Sequence, residues 1–407
     1  MSRADVVYLV SRFPLTSETF IVREIDALDR SDRFDLELRS LFPSPDQPVH
    51  EISRRWTERR VRPSTGAALA AFAWAGLTRP RALLSVLAHV VGGYRRSRLL
   101  VRALLTVLLG CAHARDLARR PVPAHIHAHY ATYPALAAWV CRRLVGSSYS
   151  FTAHAHDLYV DTSMLDQKIA DARFVVTISE YNRTLLERSN PAHTPIRVVH
   201  AGIDTAAYRF RPRAIPGEGP VRALTVASLQ AYKGHEVLLK ALAMGGPAVD
   251  RITLDLIGDG VLRDELEGLV DRLRLRERVR FLGSRSEDEV RASLDAADLF
   301  VLPSVVADDG QMEGLPVALM EALACGVPTV STKLSGIPEI VVDGVTGLLA
   351  APGDAAELNR TLAAMVERGA ETIQFAQAGR ALVTGEFDLQ QSVSALSALL
   401  AGDSGDL

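Results

Sequence analysis

The chain has 407 residues, a formal net charge of −2, 48 % apolar and 23 % charged residues, a composition that excludes a disordered or fibrous protein and leaves room for two cores. So balanced a charge argues against nucleic acid as a partner. Cys111, Cys141 and Cys325 show no paired spacing, which suggests neither a disulfide framework nor a zinc knuckle but reduced, buried thiols of a cytoplasmic protein. The opening Met1-Ser2-Arg3-Ala4-Asp5 turns polar too early, before too short an apolar run, to read as a signal peptide.

In chain order, strand-like runs fall at 6–10, 34–39, 125–129, 149–152, 174–178 and 196–200, and again at 223–227, 252–257, 279–282, 299–302 and 329–331. Helical stretches separate them, which predicts an α/β protein with parallel sheets covered on both faces. The spacing places an N-terminal Rossmann-like domain at 1–208, a linker rich in Pro, Gly and charge at 209–220, a second such domain at 221–386 and a last helix at 387–407. Two doubly wound domains facing a cleft bind ligands beyond the carboxyl ends of their strands.

The region 54–120 interrupts the alternation. It is helical in tendency and carries many arginines, among them Arg54, Arg55, Arg59, Arg81, Arg95, Arg96, Arg98 and Arg120, against only Glu58 and Asp116. Its apolar runs are shorter than the roughly 20 residues a bilayer crossing needs. Two roles stay open for it, a solvated helical face on the first domain or a peripheral contact with an anionic membrane.

The chemistry gathers in the second half. Glu313 and Glu321 bracket a predicted helix start, with Pro316 at the first helical position and Gly326 just past the last. The free N–H groups and dipole of such a helix suit a phosphate. Lys233, in Ala231-Tyr232-Lys233-Gly234-His235, sits where a strand gives way to a helix and can set an ammonium against a diphosphate. Gly258 and Gly260 in Ile257-Gly258-Asp259-Gly260 permit close backbone approach. Leu302-Pro303-Ser304 ends the strand before the acidic loop, and in the first half His154 stands just beyond a predicted strand. His125, His127 and His129 alternate on one strand face, with His154 and His156 within sequence reach; a metal site is nevertheless not expected there, and no Asp-x-Asp triplet occurs.

The stretch from Ala297 through Glu313-Gly314-Leu315-Pro316 and Glu321 to Leu349 resembles the E-x7-E region of retaining glycosyltransferases of family 4, built on the GT-B fold. The turn Phe13-Pro14-Leu15-Thr16-Ser17-Glu18-Thr19-Phe20-Ile21 resembles the opening of exopolysaccharide glycosyltransferases, including the colanic acid type. The resemblance implies transfer of a sugar from a nucleoside-diphosphate donor to a glycan or lipid-linked oligosaccharide acceptor, without cofactor or obligatory metal; the expected location is the cytoplasm, with peripheral contact at the inner face of the plasma membrane resting on the arginine-rich segment. It implies catalytic roles for His154, Lys233 and Glu313. Donor contacts would fall at Gly258, Gly260, Ser304, Gly314, Leu315, Pro316 and Glu321, and acceptor-side contacts at Ser17, Glu18 and Thr19. Ser228 stands where the family carries an arginine. A nucleotide-sugar-binding protein without transfer, or a GT-B epimerase or phosphorylase, are the alternatives.

Overall fold

A computed structural model describes residues 3–15, 18–45, 51–95 and 97–402. The chain divides into two compact units, Met1–Val199 with Ser392–Leu407, and His200–Gln391. Among the described residues each unit holds one six-stranded, all-parallel sheet.

In the first unit β1 (Ala4–Val10), β2 (Phe34–Ser40), β3 (His125–His129), β4 (Tyr149–Ala153), β5 (Phe174–Thr177) and β6 (Ile196–Val198) lie in the order β2-β1-β3-β4-β5-β6. In the second, β7 (Val221–Val226), β8 (Ile252–Ile257), β9 (Val279–Gly283), β10 (Leu299–Leu302), β11 (Thr329–Thr332) and β12 (Leu348–Ala350) lie in the order β12-β11-β10-β7-β8-β9. The central strands β3, β4, β5, β10 and β11 are short and buried along their whole length, as parallel strands under helices must be. Each sheet reverses its winding beside its first strand, between β1 and β3 and between β7 and β10. Such a reversal, beyond the carboxyl ends of the strands, is the usual ligand position of doubly wound sheets.

The arginine-rich region forms helices Glu51–Arg59, Thr65–Thr78, Pro80–Tyr94 and Leu100–Leu117. Ala68, Ala71 and Ala75 recur on one face of the second and are fully buried, letting its backbone approach the Leu100–Leu117 helix. Several of the arginines are tied down by acids: Arg55 by Asp26 and Asp29 and Arg59 by Asp29, both of the helix Thr19–Arg30, and Arg120 by Asp5 of β1 and Glu37 of β2. Arg54, Arg81, Arg95 and Arg98 are exposed, whereas Arg96 lies outside the described residues.

The segment 209–220 is not a linker. It belongs to the second unit: Ile215 is buried in that unit's core, and the backbone N–H groups of Arg211 and Arg213 donate to the carbonyls of Cys325 and Gly326 at 3.1 and 3.3 Å. One apolar anchor and backbone pairing outweigh a polar composition. The division falls instead between Val199 and His200, and β6 stops at Val198, short of the expected 200. At the other end, the helix Leu389–Ala401 carries the chain back to the first unit from Ser392, where Ser397 Oγ accepts from Arg33 at 3.1 Å.

Candidate active site

In the second unit the loops after β7 and β10 meet at the reversal of the sheet. Beyond β7 a 3₁₀ turn, Ala231–Lys233, leads through Gly234 into the helix His235–Ala243. Gly234 has φ +74°, and a Cβ there would lie 1.9 Å from the Pro303 carbonyl oxygen, so only glycine lets the two loops close. The Val305 N–H donates to the Tyr232 carbonyl at 2.9 Å, a second tie between them. Gly258, at φ +137°, is pressed against the carbonyl of Ala227 in the same way, and Gly260 against the backbone of Leu229. The three loops are thereby joined backbone to backbone, and Lys233 is aimed by them.

Lys233 Nζ forms an ion pair with Glu313 Oε2, across 80 positions of sequence. Both side chains are about one-seventh exposed. Burial pulls the lysine pKa down, but the Glu313 carboxylate outweighs it with Tyr232 adding, so that the ammonium is held above its ordinary range. Glu313 itself is positioned through its backbone: Ser335 Oγ donates to its carbonyl and to that of Gly314, and the Gly336 N–H also reaches the Gly314 carbonyl, at 3.3 Å. Leu315 is buried beneath this loop. Ser304 is fully buried; its carbonyl accepts from Thr332 Oγ1 at 2.6 Å, and its Oγ has no hydrogen-bond partner among the described residues.

The helix after the acidic loop is Val317–Cys325, closed by Gly326 in the left-handed conformation at φ +79°. Pro316 is its N-cap, with ψ 113°, and not its first helical residue as expected; the extended ψ keeps it outside the helical run. Glu321 lies inside the helix and accepts from the Tyr208 hydroxyl at 2.7 Å. Tyr208 and Ser335 received no role from the sequence. Ser335 lies within the motif that was read and could have been found by asking what satisfies the loop carbonyls, whereas nothing local points from Tyr208 to Glu321. Ser228, in place of an arginine, offers its carbonyl to His235 Nε2 at 3.0 Å.

In the first unit a second cluster forms at the corresponding place. The helix Thr19–Arg30 begins after Glu18, its N-cap, which makes no side-chain capping bond. Thr16 and Ser17 lie outside the described residues. Burial raises the Glu18 carboxyl to about 7, partly opposed by a hydrogen bond from Tyr130 and by His129. His154, just past β4, is buried with its pKa well below the ordinary 6.5, by desolvation first and by His129 second, so the ring is neutral near pH 7. Its backbone is fixed by Asp157, whose carboxylate accepts from the N–H groups of His154, Ala155 and Ala131, and by Asn182, which donates to the His154 carbonyl. Asp157 was not singled out, although an aspartate three residues after a strand-end histidine is the spacing of such a loop.

The β3 histidines form a ladder with β4. Register sets His127 opposite Ser150 and His129 opposite Thr152. His125 bonds Ser148 Oγ and Ser150 Oγ at 2.9 and 2.8 Å, and His127 bonds Ser150 Oγ and Thr152 Oγ1 at 2.8 and 3.0 Å. Glu24, His127 and His129 bring ligand atoms within 4.8 Å of one another, the one such group among the described residues. Both His127 nitrogens, however, already face hydroxyls. His156 is exposed and takes no part.

Two units of this topology in one chain make a GT-B fold. The chain superposes on Anabaena HepE in complex with UDP with a TM-score of 0.72, covering 98 % of this chain and 100 % of that one at 18 % identity. For sucrose-phosphate synthase of Thermosynechococcus elongatus the TM-score is 0.74, over 98 % and 99 % of the two chains, at 19 % identity. Residues 209–382 match the family described as Glycosyl transferases group 1. Among curated proteins it is 36 % identical over 205 residues to the amylovoran biosynthesis glycosyltransferase AmsK of Erwinia amylovora, 50 % of each chain. It is 35 % identical over 206 residues to the putative colanic acid biosynthesis glycosyltransferase WcaL of Salmonella typhimurium, again 50 % of each. The matched region is thus about half the length of these curated relatives.

Proposed function

We propose that the protein is a retaining glycosyltransferase of the family 4 type, moving a sugar from a nucleoside-diphosphate donor to a glycan or lipid-linked acceptor in exopolysaccharide or cell-surface glycan assembly. The observation that carries this is the Lys233–Glu313 pair at the sheet reversal of the unit that holds the matched domain. The relatives named for amylovoran and colanic acid biosynthesis, and a neighbour of the same fold solved with UDP, support it.

In this reading the donor diphosphate takes the place of Glu313 beside Lys233, and Glu313 turns to the donor sugar. One ammonium about 4 Å from a phosphate at an effective dielectric near 20 contributes roughly 4 kcal/mol before desolvation. Its effect is greatest as the leaving diphosphate gains charge, which is when it lowers the barrier. The N-terminus of Val317–Cys325 adds its dipole, Glu321 steadied by Tyr208 holds the ribose, and Gly258, Gly260 and Ser304 line the nucleotide. Positive charge for the leaving group comes from the chain itself, so turnover is expected to survive a chelator.

A thermal-shift screen with UDP, GDP and ADP tests the reading, since a ligand bound only by the folded state raises the melting temperature. One nucleotide is expected to do so, and Lys233→Ala is expected to reduce the shift. No shift from any of the three, or an equal shift in the variant, removes the assignment.

The reading also includes peripheral contact with an anionic membrane through the arginine-rich helices. No helix among the described residues is long and apolar enough to cross a bilayer. What favours contact is apolar exposure repeated at helical spacing, Leu77 at 85 % and Leu84 at 67 % with Val91 on the next helix and Val101 at 79 % with Leu105 on the one after, beside exposed Arg81, Arg95 and Arg98. Cosedimentation with phosphatidylglycerol vesicles at low salt is expected; its absence sinks the contact without touching the donor site.

A further inference from the structure

The first unit holds a cavity of about 220 Å³ between its edge strand and two helices of the arginine-rich region, sharing no residue with the Lys233 or His154 clusters. That is well above the roughly 15 Å³ that one water needs. Its strand wall is Arg39 on β2, beside which Val61 adds a single parallel bridge, the Val61 N–H donating to the Leu38 carbonyl at 2.9 Å. From there the chain runs into the helix Thr65–Thr78, whose Ala67 and Ala71 line one side with methyl groups. The helix Leu100–Leu117 and the turn after it supply the other side through His113, Arg115, Asp116 and Arg119.

The wall is rich in donors and poor in free acceptors. Arg39 is 2 % exposed; its Nε donates to Glu37 at 2.8 Å, its Nη2 pairs with Asp116, and its Nη1 lies 3.5 Å from His113 Nδ1. A guanidinium only donates, so Nδ1 accepts and the His113 proton sits on Nε2; a doubly protonated ring would carry one there as well. Burial first and Arg39 second push the His113 pKa down to about 3 against the pull of Asp116, which leaves the ring neutral near pH 7. Its Nε2 is buried with no hydrogen-bond partner among the described residues, and an unmatched buried donor is costly. Arg115 and Arg119, unlike Arg39 and Arg120, have no ion-pair partner among the described residues. The carboxylate in the wall, Asp116, is engaged by Arg39. Cations in the last turn of a helix also answer its dipole, which accounts for Arg115 and Arg119 as charges but neither for the cavity nor for the His113 donor.

We infer that this cavity binds a phosphomonoester, with Arg115 and Arg119 taking its oxygens and the His113 N–H and Arg39 guanidinium making the wall behind it positive. The fork of a guanidinium matches two phosphate oxygens at once, and the three terminal oxygens of a monoester can be met from more than one side. The methyl groups of Ala67 and Ala71 leave an apolar side for a short carbon stem. The ligand's terminal phosphate belongs either to a small soluble molecule or to an anionic lipid headgroup. The site lies within one unit and stands whether or not the donor assignment does.

Calorimetry of the full chain with glycerol 3-phosphate at constant ionic strength tests the site. Saturable binding of one molecule per chain is expected. Two variants are each expected to weaken it about tenfold or more, the worth of a charge-assisted hydrogen bond: Arg115→Gln combined with Arg119→Gln, and Ala67→Phe, which fills the cavity without altering charge. Far-UV circular dichroism confirms that each is folded, and the arginine pair on the helix surface keeps the test alive should Ala67→Phe not fold. Lys233→Ala is expected to leave the affinity unchanged, which separates this phosphate from the donor diphosphate. No saturable heat, wild-type affinity in either folded cavity variant, or loss of binding in Lys233→Ala overturns the inference. Vesicles then identify the source. Cosedimentation with phosphatidic acid in preference to phosphatidylglycerol vesicles of equal charge, a preference lost in Ala67→Phe, assigns the site to a lipid headgroup; glycerol 3-phosphate binding without that preference assigns it to a soluble phosphate.

Discussion

The Lys233 ammonium is held above its ordinary range because Glu313 is there. Burial alone draws its pKa down, and the carboxylate reverses the sign. A base raised in the folded state contributes stability that is complete below its unfolded pKa and lost as pH climbs through the higher folded one, so the ion pair holds across the neutral range. Lys233→Ala is expected to weaken UDP binding by about tenfold to a hundredfold by calorimetry, a discounted share of the Coulomb contact. Glu313→Gln frees the ammonium and is expected to leave UDP affinity intact while turnover falls. Glu18 shifts in the same direction, but there it is the charged form that is disfavoured. Its carboxyl, raised to about 7 by burial, binds a proton more tightly folded than unfolded, so stability declines as pH rises from about 4.5 to 7 and the deficit is complete above. Glu18→Gln is expected to stabilise the protein at pH 8 by on the order of 3 kcal/mol and to change little at pH 4, measured by thermal melts at the two values.

At the scale of elements, the two loops that carry the site are set by backbone contact before any side chain acts. Gly234→Ala adds a methyl 1.9 Å from the Pro303 carbonyl oxygen at φ +74°. It is expected to cost about 2 kcal/mol in denaturant titration and to displace Lys233, weakening UDP binding as well. The same scale explains what the sequence left hidden. The strand Leu348–Ala350 is three residues at a sheet edge, too short for periodicity to register. Segment 209–220 has the composition of a linker but is tied down by Ile215, one residue among twelve. The histidines of β3 read as a metal pattern or as ordinary core, and the register with Ser150 and Thr152 decides their hydrogen bonds.

At the scale of the molecule, the chain makes two cores and returns to the first through Leu389–Ala401, where Leu396, Leu399 and Leu400 are buried. Replacing Leu396 and Leu400 together with Ala is expected to destabilise the first unit by several kcal/mol, read by chemical denaturation, because each leaves a cavity. Nucleotide binding by the second unit provides the control: an unchanged UDP affinity marks the damage as confined to the first.

The alternation of strands and helices, the left-handed Gly326 behind a helix, the glycines where backbones touch and the acidic loop before Val317 were all legible in the chain, because each is a local pattern repeated at the period of the backbone that forms it. The partners were not. Lys233 meets Glu313 across 80 positions, Glu24 meets His129 across 105 and Tyr208 meets Glu321 across 113. Those pairings follow from strand order and from which loops leave the sheet at its reversal. Both are fixed by packing between segments far apart in sequence, which local spacing does not encode.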